Sequence, residues 1–213
     1  MIKAVIFDLD GTLADTLSGI THFVNRTTAA YGLSSISAER TKVFVGNGAK
    51  VLLERTFTHL GLSELPEGAL ALYNALYDAH ATHDLHAYDG IPALLDMLKQ
   101  RGIKIAVLSN KPHTAVLPVC TYLFGDKLDF ILGQKEGVPR KPEIIGVKMV
   151  WEALGVCAEE CLYVGDTDCD MQTGKNAGMF TVGVAWGFRT EKELWDNGAD
   201  TVIHHPQELF QYL

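Results

Sequence analysis

Ile2-Lys3-Ala4-Val5-Ile6-Phe7-Asp8-Leu9-Asp10-Gly11-Thr12 decides how this chain is read. Through Phe7 it is a short run rich in β-branched and aromatic residues with no glycine or proline, the pattern of a buried strand. Two carboxylates follow, one residue apart, with Gly11-Thr12 directly after them. Side chains alternate along a strand, so Asp8 and Asp10 would aim the same way, and Gly11 would let the chain turn sharply beyond them. Burying two like charges so close together is costly, and the pattern calls for a cation between them. Ligands of open α/β sheets bind outside the carboxyl ends of the strands, which is where these acids fall.

Working outward, residues 15–85 read as helical. Thr16–Tyr31 carries Leu17, Ile20, Val24 and Thr27 along one stripe, with Gly32 as its stop. A second helix opens at Ser37, Gly46-Asn47-Gly48 interrupts before a third over Ala49–Leu60, and Pro66–His83 forms the last. No strand is expected in this region. From about residue 86 strands and helices alternate: helix 91–101, strand Lys104–Leu108, helix 113–123, a strand near Phe130–Leu132, and a helix from Lys141-Pro142-Glu143 to Leu154. Strand Cys161–Val164, helix 168–177, strand Thr181–Val184, helix 190–197, strand Asp200–Ile203 and a terminal helix from Pro206 complete the series. Such units predict an α/β fold, a doubly wound, mostly parallel Rossmann-like sheet with an inserted helical cap. The expected division is a discontinuous core, 1–14 and 86–213, and a cap, 15–85.

The 213 residues, 47% of them apolar, can bury a substantial core. A formal charge of −8 argues against binding a nucleic-acid backbone. A small anionic partner stays compatible with it, because helix N-termini, a lysine and Mg²⁺ can reverse the field inside a cleft. No apolar run is long enough to span a bilayer, and the N-terminus lacks the pattern of a secretory signal. Cys120, Cys157, Cys161 and Cys169 read as reduced thiols, so a cytoplasmic setting is expected.

Asp8-Leu9-Asp10-Gly11-Thr12-Leu13-Ala14-Asp15-Thr16 resembles the first motif of the haloacid-dehalogenase-like phosphohydrolases, especially their phosphoglycolate phosphatases. The resemblance implies a helical cap closing over the core, Asp8 as nucleophile, and Asp10 as general acid/base whose backbone carbonyl helps bind Mg²⁺. Phosphomonoester hydrolysis is mainly positioning and electrostatic stabilisation, and a carboxylate can accept the phosphoryl group as an aspartyl-phosphate. An anionic nucleophile approaching a dianionic phosphate needs a divalent cation and further positive partners. Thr12 would offer a hydroxyl or N–H to the phosphate or to the acid/base.

Ser109-Asn110 resembles the second motif, in which the serine hydroxyl holds a phosphate oxygen and Asn110 adds its amide or backbone N–H. On residue type alone, Ser109 is equally a helix cap. The Lys111-Pro112 extension resembles phosphoglycolate phosphatases, with Lys111 facing either the cap or solvent. Lys141-Pro142-Glu143 resembles the third motif, its lysine bridging nucleophile and phosphate; the plain alternative is an exposed loop lysine. Gly165-Asp166-Thr167-Asp168-Cys169-Asp170 resembles the fourth, giving Asp166 as a metal ligand and Asp170 as a ligand through water or a partner of Lys141. Asp168 reads as a helix-start acid, and Trp186 and Phe188 as packing. The loop Gly46-Asn47-Gly48 resembles a substrate-specificity loop, or is simply a helix break. Asn25 and Lys50 are weaker pocket candidates. His80, His83 and His86 read as surface histidines rather than a zinc site.

The activity implied is Mg²⁺-dependent hydrolysis of a small anionic phosphorylated metabolite, 2-phosphoglycolate foremost. A broader sugar-phosphate or nucleotide phosphatase, a pyrophosphatase and a phosphomutase share that scaffold. A phospho-receiver switch is the non-enzymatic alternative, and would keep its aspartyl-phosphate rather than release phosphate.

Overall fold

A strand of four buried residues, β1 (Ala4–Phe7), forms the middle of the molecule. The computed structural model describes residues 1–80 and 82–213. After β1 come β2 (Ala14–Asp15), α1 (Leu17–Ala30), α2 (Ala38–Phe44), α3 (Ala49–His59), α4 (Ala69–Ala79) and β3 (His86–Ala87). Strands and helices then alternate: α5 (Ile91–Gln100), β4 (Lys104–Pro112), α6 (His113–Phe124), β5 (Phe130–Gln134), α7 (Ile145–Leu154) and β6 (Cys161–Gly165). The chain continues through α8 (Asp168–Asn176), β7 (Phe180–Val184), α9 (Glu191–Asp196) and β8 (Thr201–Ile203), and ends in a 3₁₀ helix, Pro206–Tyr212.

Six strands form one sheet in the order β5-β4-β1-β6-β7-β8, with every neighbour parallel. The expected α/β sheet is therefore the one observed. Alternation along β1 splits its burial between the two faces. Val5 and Phe7 join the core that includes α5, α6 and residues of α1, α3 and α4, whereas Ala4 and Ile6 join the core built with α7. From β1 the chain builds outward through β4 to β5, then crosses to β6 on the other side. The carboxyl ends of β4, β1 and β6 thereby lie side by side, at the switch point where such sheets bind ligands.

Helices α1 to α4 pack in succession, and α1 also meets α4. Phe23 of α1 lies 5.1 Å from Tyr77 of α4 between ring centroids, and Leu53 and Phe57 of α3 are fully buried. Ser37 caps α2 by accepting from the Arg40 N–H at 3.2 Å. Among the described residues, no helix is long and apolar enough to cross a membrane.

Several elements differ from expectation. A two-stranded antiparallel ribbon pairs Ala14 with Ala87 and Asp15 with His86 where no strand was expected. It ties together the segments leading into and out of the four helices, and two-residue strands carry no periodicity to read. The last of these helices spans Ala69–Ala79 rather than Pro66–His83, since Gly68 (φ 78°) sets its start; Ala81, inside the expected span, lies outside the described residues. Strand β4 continues past Leu108 to Pro112 with a register irregularity, so Ser109 and Asn110 lie within a strand rather than at a helix start. Pro142 does not open α7. Asn110 takes the Lys141 N–H and the Arg140 carbonyl takes that of Glu143, turning the chain before the helix starts at Ile145. The expected terminal helix does begin at Pro206, and it is of the 3₁₀ type.

Leu95 of α5 is fully buried in the larger core. Leu95→Ala should lower unfolding free energy by about 2–5 kcal/mol, the cost of lost transfer plus a cavity. Urea denaturation followed by circular dichroism measures it.

Candidate active site

Asp8 follows β1 directly, and its N–H is held by the Val164 carbonyl of β6 at 2.9 Å. Gly165 ends β6, placing Asp166 beside it, and Thr167 caps α8 in a reciprocal box with Asp170. Asp166 therefore precedes the helix rather than sharing a face of it with Asp170. Carboxylate oxygens of Asp8, Asp166 and Asp170 come within 4.8 Å of one another, all three residues buried. Lys141 supplies their ammonium. Its Nζ lies 2.9 Å from Asp8 Oδ1 and 2.7 Å from Asp170 Oδ1.

Each carboxylate is differently committed. Asp170 Oδ1 also accepts from the Tyr163 hydroxyl at 3.3 Å, and Oδ2 accepts from Thr167 N–H and Oγ1 at 3.0 and 2.6 Å. Asp170 is thus saturated as the partner of Lys141. Asp166 accepts from the Thr12 hydroxyl and from the Phe188 N–H, both at 2.8 Å. Asp8 Oδ1 has Lys141 nearby but no aligned hydrogen-bond donor. Burial, then the charge of Asp170, pushes the Asp8 carboxyl up to about 7, against the pull of Lys141. Burial raises that of Asp166 well above the usual range too, with Asp170 and Asp8 adding to it.

The structure gives each of the two opening acids its own lysine. Asp10 Oδ1 is 2.7 Å from Lys111 Nζ. Lys111 is 9% exposed, and its Nζ stands 4.4 Å from the centroid of the Tyr77 ring of α4. Just beyond the two acids the chain turns at Gly11 (φ 91°), where an added Cβ would fall 2.2 Å from Asp166 Oδ2. The backbone can approach the metal-ligand candidate because nothing projects there.

The remaining candidates fall at varied distances from this centre. Ser109 Oγ accepts from the Lys111 N–H at 3.2 Å, which leaves the hydroxyl hydrogen to give. Thr12 spends its hydroxyl on Asp166 and its N–H on the Leu9 carbonyl, so it orients a carboxylate and has neither donor left for a phosphate. Asn110 is likewise engaged. Its amide donates to the carbonyls of Gly46 and Lys141, at 3.3 and 3.2 Å, and accepts from the Lys141 N–H at 2.9 Å. Gly46 and Gly48 line one cavity with Asp8, Asp10 and Ser109, whereas Asn47 contributes a carbonyl to Arg140 at 3.5 Å. At Gly48 (φ 85°) a Cβ would lie 3.2 Å from the Asn110 carbonyl. Asn25 instead bonds both backbone groups of Ile36, and Lys50 pairs with Glu54 at 3.7 Å.

Four residues make contacts that the sequence reading did not supply. Lys111, expected to face either the cap or solvent, is one. Arg189 donates to the Lys42 and Val45 carbonyls, both at 2.7 Å, and its Nε lies 3.4 Å from Asp168 Oδ1, so it joins the β7–α9 loop to the end of α2. Trp186 donates to the Thr12 carbonyl at 3.0 Å. The Phe188 backbone fixes Asp166. Each acts through a backbone group or a distant side chain, for which no sequence spacing exists.

A haloacid dehalogenase-like hydrolase family model matches residues 5–184. This chain belongs to that family. Phosphoglycolate phosphatase of Rhodospirillum rubrum is 34% identical over 90% of this chain and 83% of its own. N-acetylmuramic acid 6-phosphate phosphatase of Pseudomonas aeruginosa is 31% identical over 100% of this chain and 95% of its own. A Lactobacillus delbrueckii crystal structure, provisionally named a phosphoglycolate phosphatase, superposes with TM-score 0.92 at 32% identity, covering 99% of this chain and 97% of the other.

The centre fits the divalent metal of this hydrolase family. Three buried carboxylates face one ammonium, which leaves two negative charges, and Asp8 Oδ1 is without a donor. Hard oxygen ligands suit an ion such as Mg²⁺ or Ca²⁺. Among the described residues no other group of His, Cys, Asp and Glu gathers in this way, so His80, His83 and His86 form no metal cluster.

Asp166→Asn should weaken Mg²⁺ binding at least about tenfold by calorimetric titration, with the far-ultraviolet spectrum unchanged. A second prediction concerns chelated protein. The Asp8 carboxyl has a folded value of about 7 against a reference of 3.8. The native state therefore holds this proton longer, and the group disfavours folding increasingly as pH rises between those values. Asp8→Asn removes that titration. Its stability advantage over the unsubstituted protein should widen from pH 4 to about 7 and then level off, as read by urea denaturation in a chelator.

Proposed function

We propose that this protein is a Mg²⁺-dependent phosphatase acting on a small phosphomonoester, 2-phosphoglycolate foremost, with Asp8 as nucleophile. The observation that carries this reading is the seating of Asp8, buried beside Lys141 at a small cavity reached by the Gly46–Gly48 loop. An Asp8 oxygen attacks phosphorus, and the bond from phosphorus to the leaving oxygen breaks. Asp10 protonates that oxygen, then takes a proton from the water that cleaves the aspartyl-phosphate and returns Asp8. Lys141 and the free hydrogen of Ser109 hold phosphoryl oxygens, while Asn110 keeps Lys141 in place through its backbone. Asp8, the Asp10 backbone carbonyl and Asp166 would hold Mg²⁺, which offsets charge on the phosphoryl oxygens. Asp170 orients Lys141.

Residues 15–85 act as a cap in this reading, and 1–14 with 86–213 as the catalytic core. The cavity beside Asp8 and Asp10 is small and bounded by Gly46, Gly48, Tyr73 and Tyr77 of the helical segment, which supports a compact leaving group. The N-acetylmuramic acid 6-phosphate phosphatase relative supports a sugar-phosphate substrate as the second reading. A cytoplasmic setting is supported by four free cysteines, three of them buried.

The test is phosphate release with Mg²⁺ from 2-phosphoglycolate, sugar phosphates, nucleotides and pyrophosphate. Highest kcat/KM on 2-phosphoglycolate is expected; a higher value on a sugar phosphate would select the second reading. A phosphoenzyme without turnover would point to a receiver, and return of phosphate to substrate to a mutase. Asp10→Asn should slow the phosphorylation burst by about 10²–10⁴-fold with an alkyl ester, and less with an aryl phosphate, whose leaving group needs little protonation. An unchanged burst with both esters would remove Asp10 as general acid.

A further inference from the structure

The cavity beside Asp8 is walled largely by apolar side chains, among them Ile20, Val45, Leu52 and Phe188. Among the described residues lining it, Lys111 is the one lysine or arginine. It has no role in the chemistry assigned above, since Lys141 serves the nucleophile. A buried ammonium must repay its desolvation, and Asp10 occupies one of its three donors. The Tyr77 ring presses on it from α4, so the charge is held between the acid/base and the helical side of the cavity.

The covalent structure of a phosphorylated 2-hydroxy acid imposes a constraint that this arrangement meets. In such an ester one carbon separates the ester oxygen from the carboxylate carbon. Whatever group receives the carboxylate must therefore adjoin the group that protonates the ester oxygen. Lys111 Nζ stands 2.7 Å from Asp10 Oδ1, the carboxylate assigned that proton transfer. The ammonium can keep Asp10 and still give a donor to a second carboxylate. In a poorly solvated, apolar cavity that attraction is stronger than in water.

We propose that Lys111 is the specificity-determining residue for the leaving group, its ammonium receiving the carboxylate of a short phosphorylated hydroxy acid while remaining on Asp10. The inference rests on the phosphatase reading above and deepens it. A neutral leaving group of the same size leaves the buried ammonium short of a partner and is discriminated against. Selectivity thus arises on the core strand β4 as well as at the Gly46–Gly48 loop.

The experiment compares kcat/KM for 2-phosphoglycolate and for 2-hydroxyethyl phosphate, a neutral-headed ester of similar size, in unsubstituted protein and in two variants. Lys111→Met removes the charge and keeps most of the length; Lys111→Gln also keeps a donor for Asp10 and serves if the methionine variant fails to fold. Both variants lose the positive charge beside Asp10, so both substrates slow. The ratio between them is the readout, because a merely structural role leaves it unmoved. The unsubstituted protein should favour 2-phosphoglycolate, and either folded variant should cut that preference by about 10–10²-fold, chiefly through KM. Equal losses on both esters would overturn the inference and reduce Lys111 to a support for Asp10. Equal kcat/KM on the two esters in the unsubstituted protein would overturn it as well, while leaving phosphatase activity standing. Absence of phosphate release from every ester tested would instead overturn the phosphatase reading, and this inference with it.

Discussion

The ion pairs of Lys141 with Asp8 and Asp170 are the contact on which the site depends. A parallel sheet gathers strand ends from distant parts of the chain, and here it brings Asp8, Asp166 and Asp170 together in a buried place. Such a cluster is strongly self-repelling unless cations enter it. Lys141 offsets one charge, while burial and neighbouring acids raise the carboxyl groups of Asp8 and Asp166. Stability and chemistry are therefore in tension at this point. The same excess of negative charge that weakens the chelated fold gives a divalent ion its reason to bind.

The second lysine divides the work. Lys141 meets Asp8 and Lys111 meets Asp10, so two acids two residues apart sit in different electrostatic surroundings. Gly11 then turns the chain just beyond Asp10 and lets the backbone pass close to Asp166, with no side chain in the way. Asp8 is left with an oxygen free of hydrogen-bond donors, whereas Asp10 faces the cavity paired with the buried Lys111. Differing environments for paired carboxylates are how one site assigns two roles.

The sheet was legible because its strands are short apolar runs ending in acids, glycines or serine, and this pattern survives without knowledge of partners. Asp8, Asp166, Asp170 and Lys141 could be nominated from motifs that resemble the family's, and the structure brings these four together. What stayed hidden depends on contacts across the fold. The Ala14–Ala87 ribbon is too short to show alternation. Lys111 could be placed at the cap or in solvent from its motif alone, and its pairing with Asp10 spans 101 positions of sequence. Thr12 and Asn110 carry the right chemistry for a phosphate, yet their polar groups are used on Asp166, Gly46 and Lys141. Residue type shows what a side chain can bond, and the fold decides what reaches it first.

Those engaged groups give the Gly46–Gly48 loop its mechanical meaning. Asn110 donates to the Gly46 carbonyl, Arg140 to that of Asn47, and Arg189 to those of Lys42 and Val45. Every one of these bonds joins a core side chain to a backbone carbonyl of the helical segment, so none depends on the identity of the residue receiving it. Arg189 is anchored in turn on Asp168, two residues beyond Asp166, and Asn110 on the backbone of Lys141. The elements that hold the buried acids and Lys141 therefore also hold the loop over the cavity. Carbonyl contacts fix the loop's position and leave its side chains free to vary, which lets one catalytic scaffold keep its closure geometry while the leaving-group pocket changes. In that arrangement a core residue such as Lys111 reads the part of a substrate nearest the reacting phosphate, where the covalent distance is short, and the loop is left to read what lies beyond.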